Sequence, residues 1–358
     1  MEEEFLLLLI ETWQDAFNSN NMKLLRDCSD PFNLPAQVFE KHFLLPKSMC
    51  RSLIEDLLPY DKQDTSLPLA LRFLTTVNFY TSGSFPKRSN SNKIFDISQP
   101  SMSRSLSSIT ELLVTQKGDE ICFPGTNESQ AVVKKGFKEQ FDMDNTLGVI
   151  GTAHIKILAP KDKFGSEEYF NEHGEYSIKV EGICDHRLLF TSLNARSPGS
   201  LSNSSIWRSS SARQFLIKHY KLGSRNTWLL GDVTYPLEPW LLTPVTPRSR
   251  LELSYNDRNR RAHNCIKQAF AVLRTRFKCL SKGRRLYYKH ERAANIIYAC
   301  AILHNILLKN GGNATLDKNE LQTSVEEAST KVSEKAALKC APKFVDGTHV
   351  RHRYTQHL

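Results

Sequence analysis

Runs of branched and aromatic residues between positions 147 and 191 require this chain to build a sheet. Leu147 to Leu158 is rich in branched residues, with Ile155 and Ile157 on either side of Lys156. Tyr176-Ser177-Ile178-Lys179-Val180 alternates at period 2, and Leu188-Leu189-Phe190-Thr191 follows a turn at Asp185-His186. Trp228-Leu229-Leu230 is a short apolar run ending at Gly231-Asp232, as a buried strand does. The period then changes to 3.6. Ile266, Ala269, Phe270, Leu273 and Phe277 share one helical face, with Arg274, Arg276 and Lys278 off it. Ala293 to Leu308 is apolar almost all round and predicts a buried helix. An α/β (α+β) domain, strands followed by two closing helices, is expected over residues 140–310.

Residues 1–130 read as a helical region. Phe39, Phe43 and Leu44, then Met49, Leu53, Leu57 and Leu58, recur near the helical period. Pro68 falls in the first turn of a helix through Leu74, where its missing N–H costs little. A polar stretch from Thr81 to Lys93 interrupts the pattern, and residues 95–113 read as helix, turn, helix. Ser98 is the expected N-cap, Pro100 lies just inside, and Ile109, Leu112 and Leu113 continue the buried face. Phe5 to Ile10 predicts one face of a short N-terminal helix; the Glu2-Glu3-Glu4 before it is the wrong charge for a secretory signal. Beyond Gly311-Gly312 the chain turns polar, which predicts a loosely ordered tail over residues 311–358.

Charge is concentrated in one block. Arg248 to Arg292 holds 14 Lys+Arg against 3 Asp+Glu, a net of +11 in a chain of net +10, so the rest sums to about zero. Such a field is the footprint of a polyanion-binding face. The eight cysteines form no C-x-x-C pair, which argues against a zinc ribbon or disulfide framework and for reduced, buried thiols. No apolar run approaches the roughly 20 residues a membrane helix needs. The expected compartment is the nucleus, with cytosol also compatible.

Four segments, in order, resemble the Harbinger-type transposases and host proteins derived from them. Gly148-Val149-Ile150-Gly151-Thr152-Ala153-His154 is similar to that family's strand G-[VI]-[IV]-D-[GC]-x-H. Ala195 to Ser204 resembles A-R-W-P-G-S-x-x-D-S, and Leu229 to Leu237 resembles L-L-G-D-x-G-Y-P-L. Asn259-Arg260-Arg261 with Ile266-Lys267-Gln268-Ala269-Phe270 and Leu273 resembles N-x-R and [IV]-E-x-A-F-x-x-L, and the likeness runs on to Leu303-His304-Asn305. The resemblance implies a ribonuclease-H-like fold, a mixed sheet flanked by helices, and metal-dependent DNA cleavage of the DDE type. It also implies a Myb-like or MADF-type DNA-binding companion.

That chemistry needs carboxylates, because two divalent cations about 3.5–4 Å apart must clamp the attacking and leaving oxygens of a phosphodiester. Carried onto this chain, the family's acids fall on Gly151, Asn203, Asp232 and Lys267, so Asp232 alone survives as the catalytic and metal-binding candidate. Asn203 keeps an oxygen acceptor without its charge, Gly151 offers nothing, and Lys267 brings a cation. Asp144 and Asp185 are candidate substitute acids that also suit turns. His154 could approach a metal, and His349, His352 and His357 form a loose histidine tail.

The expected DNA contacts are Arg258, Arg260, Arg261, Arg274 and Arg276 on phosphates, with Ser101, Ser103 and Arg104 on the recognition helix of the helix-turn-helix. Arg258, Arg260 and Arg261 are expected at a helix start, where they would oppose the macrodipole. The leading expectation is an inactive transposase relative serving as a nuclear DNA- or protein-binding module, with no cofactor. The alternatives are an active Mg²⁺- or Mn²⁺-dependent endonuclease, and a chromatin-complex scaffold without DNA contact.

Overall fold

The computed structural model describes residues 30–62, 67–85, 97–160, 166–312 and 345–356. The expected helix face at Phe5 to Ile10 lies outside them, as does His357. The chain divides into two compact units after Leu112. No helix among the described residues is long and apolar enough to cross a membrane.

The first unit is helical. Helices α1 (Ala36–Phe43), α2 (Lys47–Leu57) and α3 (Leu69–Ser82) bury Phe39, Phe43, Leu53, Leu57 and most of α3. Helix α4 (Gln99–Gln116) is uninterrupted and begins at Ser98, whose Oγ accepts from Ser101 N at 3.4 Å. The part of the expected helix-turn-helix before Ile97 lies outside the described residues. Arg104 donates to Ser101 Oγ at 3.3 Å, so these two candidate DNA contacts are partners of each other.

The second unit carries the sheet. Its strands are β1 (Thr146–Lys156), β2 (Ser177–Cys184), β3 (Phe190–Pro198), β4 (Trp228–Leu230) and β5 (Leu241–Leu242). Their order is β3-β2-β1-β4-β5, antiparallel from β3 to β1 and parallel from β1 to β5. This is the mixed, ribonuclease-H-like sheet that the segment order implies. Helix α5 (Asn127–Phe141), opened by a Thr126–Ser129 capping box, packs on β1. Helices α6 (Asn203–Ser209) and α7 (Ser211–Lys221) cover one face, where Ile150, Ile183, Trp207, Leu216 and Tyr235 form a core. The other face meets α8 (Arg250–Arg276) and α9 (His290–Lys309). Ile266, Ala269, Phe270, Leu273 and Phe277 are all buried, as their spacing predicts, and α9 is buried along nearly its whole length.

Two expectations change. Ser249 caps α8 and the helix begins at Arg250, so Arg258, Arg260 and Arg261 lie in its third turn, beyond the N-terminal dipole they were expected to oppose. Within the stretch expected to be loosely ordered, Val345–Gln356 forms helix α10. Specific anchors override its polar composition: Arg351 donates to the carbonyls of Thr243 (3.1 Å) and Pro244 (2.9 Å), and the Tyr354 ring lies 5.1 Å from that of Trp228.

Candidate functional site

Asn203 and Asp232, two of the positions where the family resemblance implies an acid, are joined through Thr234 after the end of β4. Thr152 on β1 faces α6, and its hydroxyl donates to Asn203 Oδ1 at 3.2 Å. Asn203 Nδ2 donates to Thr234 Oγ1 at 2.6 Å, and that hydroxyl donates in turn to Asp232 Oδ1. Thr234 N donates to the same Asp232 oxygen at 2.9 Å, an Asx turn after the strand. Asp232 therefore ends a hydrogen-bonded chain that depends on residue 203 being an amide.

Gly151, next along β1, faces α8. A Cβ there would lie 2.9 Å from Ile266 Cγ2. One residue beyond Ile266, Lys267 is half-buried. His263, one turn earlier, donates from Nε2 to Ile150 O at 2.8 Å. Burial holds the His263 imidazole below its ordinary pKa; Asp232 pulls it up and Lys267 pushes it down, so both charges reach it.

A second cation approaches from β2. Lys179 is 8% exposed and donates to Leu201 O at 2.9 Å. Burial lowers its pKa, which Glu172 and Asp232 oppose. Glu181, two residues on, is buried with Oε2 unpartnered, and desolvation pushes its pKa up to about 8. Its strand pairs it with Thr152, which faces α6. Sequence reasoning missed Lys179, Glu181 and His263. The available signal was charge at alternate positions of a strand whose every residue is buried.

The fit to a two-metal centre is poor. Among the described residues, the groups with metal-ligand spacing do not include Asp232. Asp144 pairs with Lys138 at 2.8 Å. Asp185 caps its hairpin turn, accepting from Arg187 N (2.8 Å) and Leu189 N (2.9 Å). His349 and His352 are exposed on α10 and join no such group.

The candidate arginines divide. Arg258 is mostly buried and paired with Asp142, Arg274 donates to His154 O at 2.9 Å, and Arg276 approaches His304 Nδ1 at 3.5 Å. These three brace the fold. Arg260 and Arg261 remain at the surface, sharing Asp257 at 2.5 and 3.2 Å. Exposed Lys278, Arg284, Arg285 and Lys289 extend the basic surface beyond α8. Leu286, among them, is held to the end of β1 by hydrogen bonds to Lys156 O (2.9 Å) and from Leu158 N (3.0 Å). On α4, Ser101 and Ser103 are half-buried and Arg104 is exposed.

Comparison with known proteins places this geometry. The family model described as DDE superfamily endonuclease matches residues 150–305. HARBI1 of Homo sapiens, named as a candidate nuclease, is 36% identical over 242 residues, covering 66% of this chain and 67% of its own length. HARBI1 of Xenopus laevis is 34% identical, with 67% of each chain covered. The Arabidopsis thaliana protein named antagonist of like heterochromatin protein 1 is 25% identical over 278 residues, covering 74% of this chain and 67% of its own. No solved structure matches.

Proposed function

The chain belongs to the Harbinger-derived DDE superfamily, and we propose that it binds DNA without cutting it. One observation carries the proposal. Of the four family acid positions only Asp232 holds a carboxylate, and Thr234 already occupies one of its oxygens. Lys179 lies within electrostatic reach of Asp232, and Lys267 within reach of His263, so both add positive charge to this neighbourhood. At ~4 Å and an effective dielectric near 20, each unit charge pair is worth about 4 kcal/mol, so a lysine beside a dication opposes its binding strongly.

The exposed cations support the binding half of the proposal. Arg260 and Arg261 share one aspartate at the surface, and surface pairs of this kind are worth little, so a phosphate can replace Asp257. Lys278, Arg284, Arg285 and Lys289 widen the same positive surface. Contacts of this type fix position on the backbone and carry no sequence information. The target sequence would then come from Ser101, Ser103 and Arg104 on α4, or from a Myb-like or MADF-type companion. A nuclear, chromatin-associated role belongs to the same proposal, supported by the name of the Arabidopsis relative.

Duplex binding measured across a salt series, with plasmid nicking in Mg²⁺ or Mn²⁺, tests this. Affinity should fall steeply with salt, and Arg260→Ala with Arg261→Ala should reduce the slope by about two. Nicking should be absent. Metal-dependent nicking abolished by Asp232→Ala would establish an active nuclease instead. Salt-insensitive partner binding without duplex affinity would establish a scaffold.

A further inference from the structure

His154 is the last residue of the strand motif that begins at Gly148, but its structural neighbours come from a different segment. The loop before β2 carries Glu172 and His173, and the ligand atoms of these two and His154 all lie within 4.8 Å of one another. His173 Nε2 is 3.7 Å from Glu172 Oε1, and the two imidazole rings stand 5.8 Å apart at 85°. We propose that His154, Glu172 and His173 bind one zinc-class divalent ion. The site lies outside the four acid positions of the nuclease motif, and the proposal does not depend on DNA binding.

The donors are held by one buried residue. Asn171 is 4% exposed; its Oδ1 accepts from His173 N (2.9 Å) and Glu175 N (3.1 Å), which shapes the loop that carries two of the ligands. Gly174, at φ +76°, supplies the left-handed residue this turn needs. The Glu175–Lys156 ion pair, at 2.6 Å, ties the loop to the end of β1, the strand bearing His154. Asn171 Nδ2 also donates to Ser177 Oγ at 2.8 Å, and that hydroxyl lies 2.9 Å from His154 Nδ1. Ser177 Oγ has a second lone pair, so it can accept from His154 Nδ1–H and leave the Nε2 lone pair for an ion. An outer hydrogen bond that sets tautomer and ring direction is the usual support of a metal-binding histidine.

The chemistry selects the ion. Two imidazoles and one carboxylate are a zinc-type set that leaves a fourth position open to water. Tetrahedral bonds of about 2.0–2.2 Å place ligand atoms roughly 3.3 Å apart, so side-chain rotations of about an ångström close the cluster. Mg²⁺ prefers oxygen ligands and keeps its waters, which this set does not suit. Lys179 and Arg274 also lie within electrostatic reach of His154, and these two cations limit the affinity for any dication.

The test uses the full, untagged chain stripped of metal by a chelator. Zn²⁺ titrated in a calorimeter should bind at one equivalent, unaffected by millimolar Mg²⁺, and Co²⁺ should give the visible absorption of a low-coordinate nitrogen and oxygen site. Glu172 and His173 are exposed, so Glu172→Gln and His173→Ala should leave the thermal midpoint of the metal-free chain unchanged. Each should weaken Zn²⁺ binding by at least roughly tenfold, the lower bound for loss of even an outer partner. Failure to take up Zn²⁺, or binding that both variants leave intact, would overturn the assignment.

Discussion

Ile266 on α8 occupies the space that a side chain on Gly151 would need, with Cγ2 2.9 Å from the Cβ position. The strand can approach the helix this closely because residue 151 has no side chain. Packing of β1 on α8 thus leaves no room for a side chain at position 151.

Restoring the acid should therefore cost stability. Gly151→Asp must displace Ile266 and bury a carboxylate, and overpacking of this kind costs about 1–3 kcal/mol. Urea denaturation should show that loss, and the variant should remain unable to nick plasmid in Mn²⁺.

Asn203→Asp tests the hydrogen-bonded chain from the other side. The amide donor to Thr234 disappears and a second carboxylate enters beside Asp232. A lost buried donor costs about 1–3 kcal/mol, so the denaturation midpoint should fall. Asn203→Ser, which keeps a donor, should lose less.

Glu181 gives a pH signature. Burial raises its carboxyl from 4.5 to about 8, so between these values the folded chain holds a proton that the unfolded chain has released. Its contribution to stability is complete below about pH 4.5 and is lost as pH rises through 8. Glu181→Gln removes that loss. The thermal midpoint of the variant should gain on the parent from pH 5 to 8, and the gap should stay constant above. His154 and His304 act oppositely. Burial lowers them from 6.5 to about 4 and about 3, so both chains should gain stability as pH rises toward 6.5.

Arg351 measures what α10 contributes. Arg351→Ala leaves the Thr243 and Pro244 carbonyls without this donor, at a cost of about 1–3 kcal/mol. Arg353→Ala, at an exposed position of the same helix, should be close to neutral. Chemical denaturation of the two variants checks the difference.

Much of the fold was legible because side-chain types recur at the period of the element that holds them. The alternation at Tyr176 to Val180 and the spacing of Ile266, Ala269, Phe270, Leu273 and Phe277 mark strand and helix before any contact is known. Helix α10 was not legible, because its polar composition hides two anchors, Arg351 and Tyr354, whose partners lie about a hundred or more residues away. The arginines show the same limit. Charge counting groups Arg258, Arg260, Arg261, Arg274 and Arg276 into one face, yet Arg258, Arg274 and Arg276 turn to partners inside the fold.

From the sequence alone came the identity of the side chains at the family acid positions: one carboxylate, one amide, one lysine and one glycine. Side-chain identity decides which atoms can carry charge or donate a hydrogen bond, and no folding changes it. Tertiary structure decided what those atoms meet: that Thr234 bonds Asp232, that Lys179 on β2 comes within its electrostatic reach, and that His154 meets Glu172 and His173. Desolvation and Coulomb interaction depend on distance through space, and chain separation does not specify that distance until β1 and β2 are paired and α8 is packed against them.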